Sequence, residues 1–214
     1  AGRVMLQAGH MGLQVGHMGL QPWPGVDSLL LIQVRAYRTD CKSTLVLNAV
    51  LGAFDPALIS KLDNDGRHLS GERPTKENFL HMAMYEERPN TSAIVHLHST
   101  HSVAVSCLDD LDAKNVLPPI TAYYVMKIGT LPLIPYYPPG DINLARAVRE
   151  MAGKHHAVLL ANHGPIVAGT SLQNAVSATE ELEETAKLFL MLKGNKTRFL
   201  SKEQVMDLNA KFPS

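Results

Sequence analysis

The sequence predicts an α/β layered domain. Three observations carry that expectation. From about Asn48 onward, segments with helical spacing alternate with short apolar runs that read as strands. Gly, Pro and Asn/Asp clusters punctuate those segments at nearly every junction. The chain has 214 residues, of which 45% are hydrophobic and 19% charged, enough to bury one sizeable core in a single domain.

Residues 1 to about 47 read differently. A near-duplicate, Leu6 to Gly12 followed by Leu13 to Gly19, repeats Gly-His-Met-Gly, and glycine recurs too often there for a stable helix. No strand alternation stands out, and Trp23 lies between Pro22 and Pro24. The run Ser28 to Val34 is the one strand candidate.

Asp55-Pro56 opens a turn or short helix, and Asp63 to Gly66 is a strong turn signal. Pro74-Thr75 starts a helical stretch to about Glu87, with Phe79, Leu80, Ala83 and Met84 at helical spacing. Ala93 to His98 reads as a strand, and Leu131 to Tyr137 as a second extended run. Asp141 is a good N-cap for a helix from about Asn143 to Ala152, with Leu144, Val148 and Met151 on one face. Ala157 to Ala161 is a compact buried-strand candidate, broken by Asn162 to Pro165 and resumed at Ile166 to Ala168. A long helix follows, from about Ser171 to Leu192, its acidic run Glu180 to Glu184 lying largely off the apolar face.

Lys plus Arg balance Asp plus Glu at 20 each, which argues against nucleic-acid binding through a broad basic surface. No apolar run is long enough to span a bilayer, and no secretory signal pattern is visible. Only Cys41 and Cys107 are present, so no disulfide framework is expected and a reduced, cytoplasmic setting is. The ten histidines are the compositional oddity.

His96 and His98 alternate along the candidate strand, so they share a face roughly 6–7 Å apart at the backbone. Both imidazoles can then reach one ion through bonds of about 2 Å. The plainer alternative is a polar edge strand with two solvated histidines. His163 sits in a turn after an apolar strand, where functional groups are often placed, or where a histidine simply bonds to backbone. His101, His81 and the pair His155-His156 are rivals for a third ligand, the last reading as exposed. Glu77, near a helix start, is by itself an ordinary first-turn acid.

Four motifs in order give these residues more weight. They are Pro74-Thr75-Lys76-Glu77, Ile94 to His101 (Ile-Val-His-Leu-His-Ser-Thr-His), Leu160 to Pro165 (Leu-Ala-Asn-His-Gly-Pro), and Glu180 to Lys187. From about Asn48 to Leu200 the chain resembles the class II aldolase/adducin family, and within it the 3-oxo-tetronate 4-phosphate decarboxylases. Pro135 to Asp141 adds to that closer match. The resemblance implies an αβα fold around a mainly antiparallel sheet. It implies one Zn2+ per subunit held by His96, His98, His163 and, at rest, Glu77, with Glu77 also the acid/base. It implies a tyrosine near the metal, best fitted by Tyr123 with Tyr124 as the other option, and a phosphate pocket to which Thr75 and Lys76 contribute. Family members are usually homotetramers with sites at subunit interfaces.

The implied reaction is decarboxylation of a 3-oxo-tetronate 4-phosphate to dihydroxyacetone phosphate and carbon dioxide through a metal-bound enediolate. An aldolase or epimerase acting on a phosphorylated sugar such as L-fuculose phosphate makes the same kind of enediolate, so the ligands alone do not separate the two. A non-catalytic assembly domain like the adducin head has no need of the acid and three histidines. The chain also departs from the family. The Gly-Asn-x-Ser and Thr-Pro-Thr loops that line the phosphate site are missing, and Asn48 stands as the remnant of the second. Residues 1–47 are therefore expected to be frame-shifted, to follow a misassigned start, or to be poorly ordered, with residues 48–214 forming the family domain.

Overall fold

The structure is a computed structural model. It describes the backbone of residues 5–8, 13–16, 29–38, 41–50 and 60–63, and backbone with side chains for residues 60, 62–63 and 67–212. The strands are β1 (Met5–Ala8), β2 (Leu13–Gly16), β3 (Leu29–Arg38), β4 (Cys41–Val50), β5 (Ser60–Asp63), β6 (His68–Ser70), β7 (Ala93–Leu97), β8 (Leu133–Ile134), β9 (Ala157–Leu160) and β10 (Gly164–Gly169). The helices are α1 (Asn78–Glu87), α2 (Thr100–Ser106), α3 (Ala122–Lys127), α4 (Ile142–Ala152), α5 (Leu172–Leu192) and α6 (Lys202–Lys211).

Eight strands form the central sheet in the order β6-β5-β4-β3-β7-β10-β9-β8. Every pairing is antiparallel except β8 with β9. The mainly antiparallel sheet expected from the motifs is therefore present. The central strands alternate between two cores. Ile94, Val158, Leu160, Ile166 and Ala168 pack against α1 and α4 through Leu80, Ala83, Met84, Leu144 and Val148. Ala157, Leu159 and Val167 pack against the opposite layer through Val105, Tyr124, Val125, Ala178, Leu182 and Ala186. Helices cover both faces, which is why these strands read as unbroken apolar runs and not as alternating ones.

Several expectations need correction. Met5–Ala8 and Leu13–Gly16 are two short strands that pair antiparallel, Leu6 opposite Val15, where no strand was expected. β3 runs past the expected Ser28 to Val34 and pairs with both β4 and β7. α1 begins at Asn78, not at Thr75; the Thr75 hydroxyl accepts from the Glu77 amide and closes a turn before the helix. The extended run 131–137 shrinks to β8. Met151 is on the solvent side of α4, while Asp141 caps that helix as expected by accepting from the Asn143 amide.

Three helices were not anticipated. α2 and α3 have seven and six residues, too short for a periodic signal. The start of α6 was readable: Ser201 and Gln204 form a capping box, the Ser-x-x-Gln signature of a helix N-terminus. The turn expected at Asp55-Pro56 lies outside the described residues.

Candidate metal centre

The four expected donors reach one point from three places in the fold. Glu77 occupies the N-cap of α1. His96 is in β7 and His98 just beyond it, both at the strand end that faces α1. His163 is the last residue of the three-residue connection between β9 and β10, whose flanking residues Leu160 and Gly164 are paired. One donor atom from each of Glu77, His96, His98 and His163 lies within 4.8 Å of all the others.

The local sequence explains the convergence. Gly164 lies so close to β7 that a Cβ there would sit 2.2 Å from the Leu97 carbonyl oxygen. Only glycine lets β10 begin directly beside His98 and so carry His163 next to it. His96 is fully buried, and its Nδ1 lies 2.8 Å from the Pro165 carbonyl oxygen. A carbonyl only accepts, so Nδ1 carries the proton and the lone pair is on Nε2. That Nε2 has no hydrogen-bond partner and lies 3.5 Å from Glu77 Oε2.

His163 Nε2 is 3.2 Å from Glu77 Oε1 and 2.8 Å from His98 Nε2. The adjacent His163 and His96 imidazoles, His163 first, outweigh burial and hold the Glu77 carboxyl far below its ordinary range. Burial pushes the His98 imidazole down to about 4, with the neighbouring His96 and His163 adding to the effect.

This donor set fits a divalent cation. Three imidazole nitrogens and one carboxylate are the ligand types of a catalytic zinc site. A buried, unpartnered Nε2 on a ring whose other nitrogen is tied to backbone is the usual orientation of a metal-binding histidine. Two imidazole nitrogens 2.8 Å apart need a proton or a cation between their lone pairs.

The rivals are elsewhere. His101 is on α2 with its Nδ1 2.8 Å from Glu183 Oε1. His156 was expected to be exposed, but its ring donates to the Lys127 carbonyl at 2.8 Å. His81 is fully buried behind His96, ring centroids 6.3 Å apart and nearly perpendicular, and neither of its ring nitrogens has a partner. Burial drives its pKa down to about 3, so it is neutral.

The tyrosines divide. Tyr124 is buried, with its hydroxyl donating to the Leu117 carbonyl at 3.4 Å and its pKa raised by burial. Tyr123, on α3, is 63% exposed, with the Lys127 ammonium 6.0 Å from its ring. Thr75 is half-buried and Lys76 exposed, both on the loop that leads into Glu77. Asn48 is in β4 opposite Leu31, which is itself opposite His96; its side chain lies outside the described residues.

Sequence reasoning missed two parts of this arrangement. The Pro165 carbonyl that fixes His96 left no signal beyond its place in the Leu160 to Pro165 motif. Glu183 was read as part of a solvated acidic run, yet it accepts from the amides and side chains of both His101 and Ser102.

Residues 47–190 match the class II aldolase and adducin N-terminal domain. The chain belongs to that family. It is 49% identical over 160 residues to a 3-oxo-tetronate 4-phosphate decarboxylase of Escherichia coli O6:H1, covering 75% of this chain and 76% of that protein. A protein of the same name from Haemophilus influenzae is 49% identical over 158 residues, 74% and 75% of the two chains. An L-fuculose phosphate aldolase from Haemophilus influenzae is 34% identical over 155 residues, 71% and 69% of the two chains. Among solved structures, YgbL from Escherichia coli superposes with a TM-score of 0.81 at 42% identity, covering 86% of this chain and 88% of that one. The class II aldolases of this family are metal-dependent lyases, and the Glu77–His96–His98–His163 cluster is where this member could hold a metal.

Proposed function

We propose that the protein is a zinc-dependent carboxy-lyase that converts a 3-oxo-tetronate 4-phosphate to dihydroxyacetone phosphate and carbon dioxide. The single observation behind this reading is the convergence of Glu77, His96, His98 and His163 in a chain about half identical to proteins of that name. A 3-oxo acid releases carbon dioxide when the electrons of the breaking carbon–carbon bond move onto the ketone, giving an enediolate. A divalent cation held by the three histidines would supply positive charge to stabilise the electrons left by the departing carbon dioxide.

The chain's own residues do the rest. His96, fixed by Pro165, orients the donor set. Glu77 is the acid/base: it stands beside the histidine nitrogens, takes up a proton from solvent and passes it to the carbon that lost the carboxylate. Thr75 and Lys76 bind the substrate phosphate beside Glu77, with Asn48 as a further phosphate residue. Tyr123, exposed in its own subunit, serves the site of a neighbouring subunit in a homotetramer. The enzyme is cytoplasmic. Among the described residues no helix is long and apolar enough to cross a membrane. Residues 48–214 are the family domain, and residues 1–47 are an atypical segment read as frame-shifted, although β3 within it pairs with β7. An intact mass of the natural protein that matches the present sequence would remove that last reading.

The 34% identity to an L-fuculose phosphate aldolase supports a second reading, release of an aldehyde from a phosphorylated sugar. The two differ in what leaves, so parallel assays of carbon dioxide and aldehyde release decide between them. Zinc analysis tests both: about one equivalent per subunit after gentle purification is expected, and a metal-free, fully active protein would overturn both readings. Tyr123→Phe is expected to lower kcat without shifting the tetramer mass in sedimentation, whereas unchanged turnover would remove Tyr123 from the site.

A further inference from the structure

Ser106 is the last residue of α2 and is 3% exposed. Nothing in the metal chemistry above uses it. Its contacts nonetheless go to the turn that carries His163. The Ser106 carbonyl accepts from the Asn162 amide at 3.1 Å. Its hydroxyl accepts from the His163 amide at 3.3 Å, an amide it shares with the Leu160 carbonyl at 3.2 Å, while donating to the Val103 carbonyl at 2.7 Å. One buried residue thus holds two successive amides more than fifty positions along the chain.

That turn needs holding. Asn162 has φ of 55°, a left-handed conformation that a residue other than glycine adopts at some cost and keeps only where its surroundings enforce it. On the other side of His163, Gly164 is pressed against the Leu97 carbonyl with no room to shift. The ring of His163 is therefore aimed by two fixed neighbours, β7 on one side and Ser106 on the other.

The same helix is tied to His98. α2 begins at Thr100, two residues beyond His98. Its first free amides, those of His101 and Ser102, donate to the two oxygens of Glu183 at 2.9 Å each. The Ser102 hydroxyl adds a bond of 2.7 Å. α2 is consequently fixed at its start by α5 and presents Ser106 at its end, a short strut between the positions of His98 and His163.

We propose that Ser106 is a positioning residue for His163, acting through the Asn162–His163 backbone to set the distance between the His98 and His163 nitrogens. This rests on reading those residues as metal ligands. The test compares wild type with Ser106→Ala and Ser106→Thr, measuring the zinc dissociation constant by competition with a chromogenic chelator and the melting temperature of each metal-free protein. Outer contacts of this kind typically alter metal affinity 10–100-fold. Ser106→Ala is expected to weaken zinc about tenfold, near the bottom of that range, because the Ser106 carbonyl still holds Asn162. Ser106→Thr, which keeps the hydroxyl, is expected to restore affinity to within threefold of wild type. The metal-free melting temperature of Ser106→Ala is expected to stay within a few degrees.

Zinc binding by Ser106→Ala within twofold of wild type, while wild type binds zinc tightly, would overturn the proposal and leave the metal reading intact. Wild type that binds no zinc would overturn the metal reading and the proposal together. If Ser106→Ala fails to fold, Asn162→Gly decides the matter, since it frees the same turn without removing a buried group. Weaker zinc binding in that folded variant supports the strut, and unchanged binding overturns it.

Discussion

Glu77 and Glu183 stand on opposite faces of the central sheet and look alike in isolation. Each side chain is 13% exposed, and each carboxyl is held below its ordinary range. Their partners differ. Glu77 faces imidazole nitrogens of His163 and His96, groups that can give up a proton or turn to a cation. Glu183 faces two backbone amides, a hydroxyl and a histidine outside the metal cluster. For Glu183, burial pushes upward and is outweighed by the Ser102 hydroxyl and the His101 and Ser102 amides. Exchangeable partners mark a site of chemistry, and fixed partners mark a joint. Neither burial nor the lowered pKa distinguishes them.

The comparison can be broken at several points. Glu77→Gln gives the largest expected effect. It keeps a similar shape and leaves the three histidines in place, so a metal is retained while kcat falls about 10²–10⁴-fold, the range for loss of a general acid. Zinc content and steady-state kinetics measure both, and an unchanged kcat would put Glu77 in the same class as Glu183.

Glu183→Gln should do the reverse. Losing charge-assisted bonds at the start of α2 is expected to lower stability by about 2 kcal/mol in urea denaturation. Turnover per folded, metal-loaded molecule should change far less than in Glu77→Gln. The pH dependence sharpens this. A depressed folded pKa means that the contribution of Glu183 is fully present above its ordinary value of 4.5 and is lost as pH falls below that value toward the folded pKa. Wild type should lose stability with acid more steeply than Glu183→Gln in that window, and parallel curves would deny the joint its charge.

The smallest expected effect concerns His81. A fully buried imidazole with two unpartnered nitrogens is a cost to the fold. His81→Phe keeps the edge-to-face packing on His96 and should raise stability by about 1–2 kcal/mol. A loss of stability would mean that the ring has a partner after all.

Much of the site was legible because strand alternation and short motifs are local. His96 and His98 share a face by the two-residue repeat of β7, and the break at Asn162 to Pro165 marked a connection between two apolar strands. The apolar runs at β7, β9 and β10 came from a sheet covered on both sides, which local sequence also reports. α2 was not legible. Its seven residues lack a periodic pattern, and its start is held by a glutamate some eighty residues later in the chain.

Strand alternation alone was enough to pair His96 with His98, while Glu77 and His163 came from the order of the motifs and the resemblance they carry. Layer packing brings His163, and not His101, beside Glu77, His96 and His98, with Gly164 against Leu97 and Ser106 bonded to the turn. It also separated Tyr123 from Tyr124, which are adjacent in sequence but point to solvent and to the core. Distances of a few ångströms between residues 65 or more positions apart are set by how the layers pack, and no local pattern encodes them.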